Sequence, residues 1–324
     1  MDPRLAAELA AHEGTDGEFV ESAFRLVLRR PPDDEARDRA LAKLAEGTLS
    51  RATLLYELAT SEEHGRVREL DDAVALGLAA RVRGKRLRWL QAPPATDERV
   101  VEIPWVLSRL RAGGRVLEIG YAFAEAAYLG ALLRSGVELH GVDLATRDVE
   151  GMETAQADVR SLPFADGSFD QVLLVSTLEH VGADNTVYGL AHEDDGASRL
   201  AALRELARVL RGDGSLLVTV PLGEPGDHGW FRQEDERGWT ALYARAGFFA
   251  HELEAYELGP DGWRAAPAFR PEGVRYGERG PAASAVLCAE LVPGRLRHLL
   301  TPLGLATAAR RRARPLRHRR RATG

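Results

Sequence analysis

Near residue 100 the spacing of apolar residues changes character. Before it they recur at three and four positions, the period of an amphipathic helix. In FVESAFRLVLRR, residues 19–30, Phe19, Ala23, Leu26 and Val27 share one helical face, and Pro31 with Pro32 stops the run. DDEARDRALAKLAEG restarts with acids in its first turn and Gly47 as its stop. Ser50 is placed to cap a third helix, whose Leu54, Leu55, Leu58 and Ala59 form its apolar stripe. A basic, helix-like connector, AVALGLAARVRGKRLRWL, follows; APPATDE then breaks the period. The basic face of that connector is expected to be solvated, or to meet phosphate or lipid.

After residue 100 the pattern becomes short unbroken apolar runs alternating with helical stretches. RVLEIG, ELHGVDL, QVLLVS, SLLVTVPLG, AHELEAYEL and AASAVLCAELV read as strands. Between them lie helix candidates at WVLSRL, with Pro104 in its first turn, at 124–133, at AALRELARVL and at WTALYARAGF. The stretch DGWRAAPAFRPEGVRYGERG has no dependable period. Such alternation predicts an α/β fold, a doubly wound, mostly parallel sheet, behind an all-helical N-terminal part. The expected organisation is a helical module and connector over 1–91, the α/β domain over 92–292 and a tail over 293–324.

Charge sharpens that division. The chain of 324 residues has a formal charge of −6, but residues 92–291 carry 18 basic and 32 acidic residues, whereas 292–324 hold ten arginines and no acid. An acidic body therefore precedes a basic tail. The tail begins apolar and ends arginine-rich, so its expected roles are a flexible solubilising segment or contact with an anionic membrane surface. Nucleic acid is not an expected partner, because no zinc finger, aromatic RNA motif or recognition-helix pattern accompanies the arginines. The single cysteine, Cys288, sits in an apolar run and reads as a small buried hydrophobe, with no disulfide or thiolate metal site to be made from it alone. The first residues have acids and no long apolar core, unlike a secretory signal, and no run is long enough for a spanning helix. The expected location is cytoplasmic, with a peripheral contact at the inner face of the membrane through the tail.

The chemistry concentrates between Gly114 and Asp170. Adjacent parallel strands open at their C-terminal ends onto one crevice, where loop backbone and helix N-termini can hold a ligand. Glu118 and Gly120 end the first strand of this unit, Asp143 the second, and Asp158 follows a third, short one. An acid at the end of the second strand can accept both hydroxyls of a ribose. The first loop reads Gly120-Tyr121-Ala122-Phe123-Ala124 and lacks a G-x-G-x-x-G run, which argues against a dinucleotide. With only Gly120 free of a Cβ, the backbone at 122 and 124 must avoid positive φ.

VLEIG, GVDL, QADVRSLPFADGSFDQVLLVSTLEHV and ELARVLRGDGSLLVTVP, in this order, resemble the class I S-adenosylmethionine-dependent methyltransferases. That family's fold is a seven-stranded, mostly parallel sheet. The resemblance implies S-adenosylmethionine as cofactor, with Glu118 orienting the loop or meeting the methionine amine, Gly120 allowing close backbone approach, and Asp143 on the ribose. It also implies Asp158 and the Val159 amide at the adenine edge and Ser176 near the methionine portion. Family members usually have more glycines in the first loop. Methyl transfer needs an aligned acceptor and, for a hydroxyl, a base; His180 in STLEH is the first candidate and His192 the second. Asp194, Asp195 and His228 do not have a recognised metal spacing, so no metal is expected. Trp230, Phe231 and Trp239 are candidates for an acceptor wall, whereas Trp105 is expected to pack.

Residues 17–72 resemble a small helical domain of unknown function found on bacterial surface and cell-envelope proteins. With that context the expected acceptor is a sugar, a glycan or another small molecule tied to surface-polysaccharide biosynthesis, and a polysaccharide-pathway protein is a candidate partner. The competing expectation is a catalytically inactive scaffold of the same fold in polysaccharide assembly.

Overall fold

The computed structural model describes residues 14–190, 195–280 and 282–294. The tail expected to meet a membrane, from residue 295 on, lies outside them, as does His192. Among the described residues no helix is long and apolar enough to cross a membrane.

Helices α1 (Asp16–Leu28), α2 (Asp34–Ala45) and α3 (Arg51–Ala59) form the N-terminal bundle. Thr15 and Glu18 close a reciprocal capping box at the start of α1, and Ser50 accepts the Thr53 N–H at 3.0 Å. The α1 face that packs is turned slightly from the expected one. Phe19, Val20, Ala23, Phe24, Val27 and Leu28 are buried, and Leu26 is only half-buried. Leu54, Leu55 and Leu58 of α3 complete this small core.

The connector departs from its sequence reading. A single helix, α4, runs Glu62–Val82 and ends before the arginine-rich part. Gly84 takes φ +62° there, and the following arginines go to the sheet. Arg86 bonds Glu290 and lies 3.2 Å from Glu252, and Arg88 also pairs with Glu252. The buried Arg109 donates to Glu252 at 2.9 Å and to Glu254 at 3.0 Å. Buried carboxylates need such partners, so Arg86 and Arg88 of this basic segment are tied to carboxylates of the sheet.

Strand β1 (Gln91–Ala92) and helix α5 (Arg99–Leu107) lead into the α/β part. Pro104 lies in the second half of α5, not in its first turn. Gly77 of α4 crosses there so closely that a Cβ would stand 2.8 Å from the Pro104 Cα; the two helices can pack only because that position lacks one. The rest follows in order: β2 (Arg115–Ile119), α6 (Ala126–Leu133), β3 (Glu138–Asp143), β4 (Glu153–Gln156), β5 (Phe169–Val175), α7 (Ser198–Val209) and β6 (Leu210–Pro221). The hairpin β7 (Gly226–Asp227) with β8 (Arg232–Gln233) comes next, then α8 (Glu236–Arg245), β9 (Phe248–Gly259), β10 (Gly262–Ala265) and β11 (Ala285–Pro293).

One sheet carries the order β1-β10-β9-β11-β6-β5-β2-β3-β4. It has nine strands rather than seven, because β10 arises inside the stretch without period and brings β1 to the edge, Gln91 opposite Arg264 and Ala92 opposite Trp263. From β4 to β6 all neighbours are parallel, and β11 runs antiparallel between β6 and β9. Alternation along the strands feeds two cores. Leu173, Val286 and the buried Cys288 face α4, α5 and α6, whereas Val172, Leu174 and Leu287 face α7 and α8. The strand order reverses between β2 and β5, where open α/β sheets bind ligands.

Candidate active site

Four strand ends and the turns after them enclose a cavity of about 480 Å³ at that reversal, within the range of small-molecule sites. Glu118, Gly120, Asp143, Asp158, Val159, Ser176 and His180 all line it, with Ile103, Ile119, Val142, Leu144 and Val175 as apolar wall. His192 and Asp194 lie outside the described residues. Among those described, no three His, Cys, Asp or Glu side chains are grouped to hold a metal ion.

The first loop solves its shortage of glycine as a 3-10 turn. Gly120 takes φ +89°, and a Cβ there would stand 2.6 Å from the Thr177 hydroxyl, so this is the one position where glycine is required. Tyr121–Phe123 then form the turn, and Ala124 is extended at φ −70°, so both alanines avoid the left-handed region. Tyr121 points into the core, its ring packed over Gly141, and Phe123 stands half-exposed at the rim, 5.0 Å from Tyr188. Neither aromatic fills the cavity.

Asp143, rather than Glu118, fixes this loop. Its Oδ2 accepts the Ala122 N–H at 3.0 Å and its Oδ1 the Ala145 N–H at 3.0 Å. Each oxygen has a further lone pair. Burial raises its carboxyl above the ordinary value, against the pull of those N–H groups. Glu118 is buried and accepts instead from the Tyr128 hydroxyl at 2.9 Å. Asp158 reaches the cavity, but Arg160 grips it, with Nε at 2.9 Å from Oδ2 and the backbone N–H at 2.7 Å from Oδ1. Burial works against ionisation of Asp158, yet the Arg160 bonds prevail and lower its pKa. Ser176 sits at φ +40°, a strained value for a residue with a Cβ, and its hydroxyl donates to Glu102.

Burial pushes the Glu118 carboxyl up to about 8. Its folded pKa thus exceeds its unfolded value, so its contribution to stability is fully present below about pH 4.5 and is lost as pH rises through about 8. Thermal unfolding of the ligand-free protein is expected to show Tm falling between pH 5 and 8, and Glu118→Gln to lessen that fall. Parallel profiles for the two proteins would contradict it.

His180 follows β5 on a 3-10 turn, Leu178–His180. Its Nδ1 is 2.9 Å from the Trp230 carbonyl oxygen, a partner that only an N–H can satisfy. The neutral ring therefore carries its proton on Nδ1 and presents Nε2 as a lone pair. Burial lowers its pKa to about 4, so it stays neutral at ordinary pH.

Sequence reasoning placed a helix at WVLSRL but missed its first turn, which begins at Arg99 beside the cavity. Arg99 lines the cavity, and its Nη1 is 2.6 Å from the fully buried Glu102. The sign was legible as three charged residues, Glu98, Arg99 and Glu102, in a helix otherwise apolar on all sides. Of the proposed aromatic wall, Trp230 and Phe231 face a smaller annex of the cavity. Trp239 does not; it is fully buried, donates to the Pro221 carbonyl at 2.9 Å and stacks on Tyr243. Trp105 is likewise core, under the Arg109 guanidinium.

Residues 117–218, from β2 to β6, match the family model described as a methyltransferase domain. That segment is a methyltransferase domain by this match. Its general activity is methyl transfer from S-adenosylmethionine. No curated protein matches the chain. Among solved structures, the chain is similar to a possible histamine N-methyltransferase from Thermotoga maritima, at 18% identity over 59% of this chain and 87% of that one, TM-score 0.39. It is similar to the 1,6-didemethyltoxoflavin-N1-methyltransferase of Burkholderia thailandensis at 16% identity, over 84% and 90%, TM-score 0.40. The cyclase SpnF is similar at 17% identity over 72% and 96%, TM-score 0.42.

Proposed function

We propose that the methyltransferase domain binds S-adenosylmethionine in the 480 Å³ cavity and methylates a hydroxyl of a sugar or of a glycan related to surface polysaccharide. The observation that carries this is the meeting of Asp143, with a lone pair to spare on each oxygen, and His180, with Nε2 unprotonated, on the wall of one cavity. The residues suit the cofactor. Asp143 would take the ribose hydroxyls, the Leu144 and Val159 side chains would offer apolar surface to a base, and Glu118 and Ser176 would border the methionine portion. Asp158 would have to share its carboxylate with Arg160 to meet the adenine amino group.

When bound, the cofactor supplies an electrophilic methyl group. The chain's own part is to hold the acceptor, exclude water and receive the hydroxyl proton on His180 Nε2. The Nδ1–H bond to Trp230 keeps the ring from turning as it does so.

Calorimetric titration is expected to show one-to-one binding of S-adenosylmethionine and of S-adenosylhomocysteine. A mass-spectrometric screen of hexoses and nucleotide sugars is expected to find a methylated hydroxyl. Absence of heat with either nucleoside would overturn the cofactor reading, and transfer only to nitrogen or carbon acceptors the hydroxyl reading.

A further inference from the structure

The cavity continues into an annex of about 70 Å³, and Arg99, Ser176, His180 and Tyr188 line both. Trp230, Phe231 and Tyr276 wall the annex with mutually inclined rings: Trp230 stands edge-on to Tyr276 at 6.0 Å, Trp230 to Phe231 at 4.7 Å, and Phe231 is tilted against Tyr276 at 4.5 Å. Between these rings and helix α5 lie two buried carboxyls. Glu98 is 93% covered by its surroundings and accepts the Ala283 N–H at 3.2 Å. Glu179 has a side chain 5% exposed, and its Oε2 is buried with no hydrogen-bond partner among the described residues.

An orphaned carboxylate oxygen of this kind costs free energy unless something comes to it. No donor among the described residues reaches the Glu179 Oε2. Aromatic faces together with carboxylates recognise a desolvated organic cation. We propose that the annex is a binding site for a primary ammonium group, held by Glu179 and Glu98 within the Trp230, Phe231 and Tyr276 rings. Its small volume excludes anything much larger than an ammonium and a carbon or two. Combined with the methyl transfer proposed above, on which this part rests, it makes the acceptor an amino sugar whose ammonium sits in the annex while a neighbouring hydroxyl meets His180.

The local charge permits it. Arg99 at the junction is the opposing cation, and Glu102 accepts from it at 2.6 Å. Three acids, Glu98, Glu102 and Glu179, surround that one guanidinium, so an added positive charge meets a negative balance once they ionise. Burial without a partner pushes Glu179 up to about 8 and raises Glu98 as well, which fits carboxyls still awaiting their cation.

The test compares ethylammonium with ethanol, equal in heavy atoms, on the full-length protein at constant ionic strength. The readout is the indole N–H resonance of Trp230, assigned by its loss in Trp230→Phe. Ethylammonium is expected to shift that resonance saturably and at least tenfold more tightly than ethanol, and Glu179→Gln to reduce the preference at least tenfold with S-adenosylhomocysteine affinity unchanged. Equal binding of the two probes, binding of neither, or a preference that survives in Glu179→Gln overturns the site. S-adenosylhomocysteine binding without ammonium binding sinks this inference alone. Ammonium binding without S-adenosylhomocysteine binding leaves the annex and sinks the transfer reading.

Discussion

His180→Gln is expected to lower the turnover of methyl transfer to a hydroxyl by roughly 10²–10⁴-fold, the usual worth of a positioned base, with S-adenosylhomocysteine affinity changed by less than about threefold. The expectation follows from the bond that fixes the ring. Because Nδ1–H is spent on the Trp230 carbonyl, Nε2 is the acceptor, and glutamine can replace the N–H donor but not the basic nitrogen. The pH–rate profile adds an independent check. A ring whose pKa is lowered to about 4 by burial gives no acidic limb near 6.5; activity should hold as pH falls through that range and decline only towards 4. A variant that keeps its turnover within about threefold would remove His180 from the chemistry and leave it a wall of the pocket.

Asp143→Ala is expected to weaken S-adenosylmethionine binding by at least about 100-fold in calorimetry. Hydrogen bonds to a charged group are worth roughly 1.5–3 kcal/mol each, and this carboxylate already holds two backbone N–H groups, of Ala122 and Ala145, before any ribose arrives. The alanine variant therefore loses both the cofactor contact and the anchor of the 3-10 turn. Asp143→Asn should fall between, since its amide oxygen can keep one of the two N–H bonds. Circular dichroism should show both variants folded, because the strands on either side stay paired. Unchanged affinity in the alanine variant would mean the cofactor sits elsewhere.

The unit from β2 to β6 was legible because its signals are local. Unbroken apolar runs mark buried parallel strands, and the acids that end them, Glu118, Asp143 and Asp158, fall at strand ends whichever way the rest of the chain folds. Two edge strands were not legible. β10 has four residues and β1 two, too short for a period to show, and each exists only because the other pairs with it. The connector misled for a related reason: its arginines have helical spacing, but Glu252, Glu254 and Glu290, more than 160 residues away, draw them out of the helix.

Partners separated this far also decided the site. The resemblance gives Glu118 either the first loop or the methionine amine; in the fold it is Asp143 that holds the loop, because the parallel pairing of β2 with β3 brings its carboxylate under the Ala122 N–H. The presence of Asp158 was readable, but not that Arg160 would occupy it. The annex depends on α5, the turn after β5, the β7–β8 hairpin and the segment around Tyr276 all arriving at one place.

By itself, then, the order of apolar runs and terminal acids determined a sheet and the crevice at its carboxyl ends, since strand propensity and side-chain alternation act over a few residues. Only the folded chain decided which carboxylates are spent on neighbours and which face the cavity. Hydrogen bonding and desolvation depend on distances of a few ångströms between residues far apart in sequence, and those distances exist only once the layers have packed.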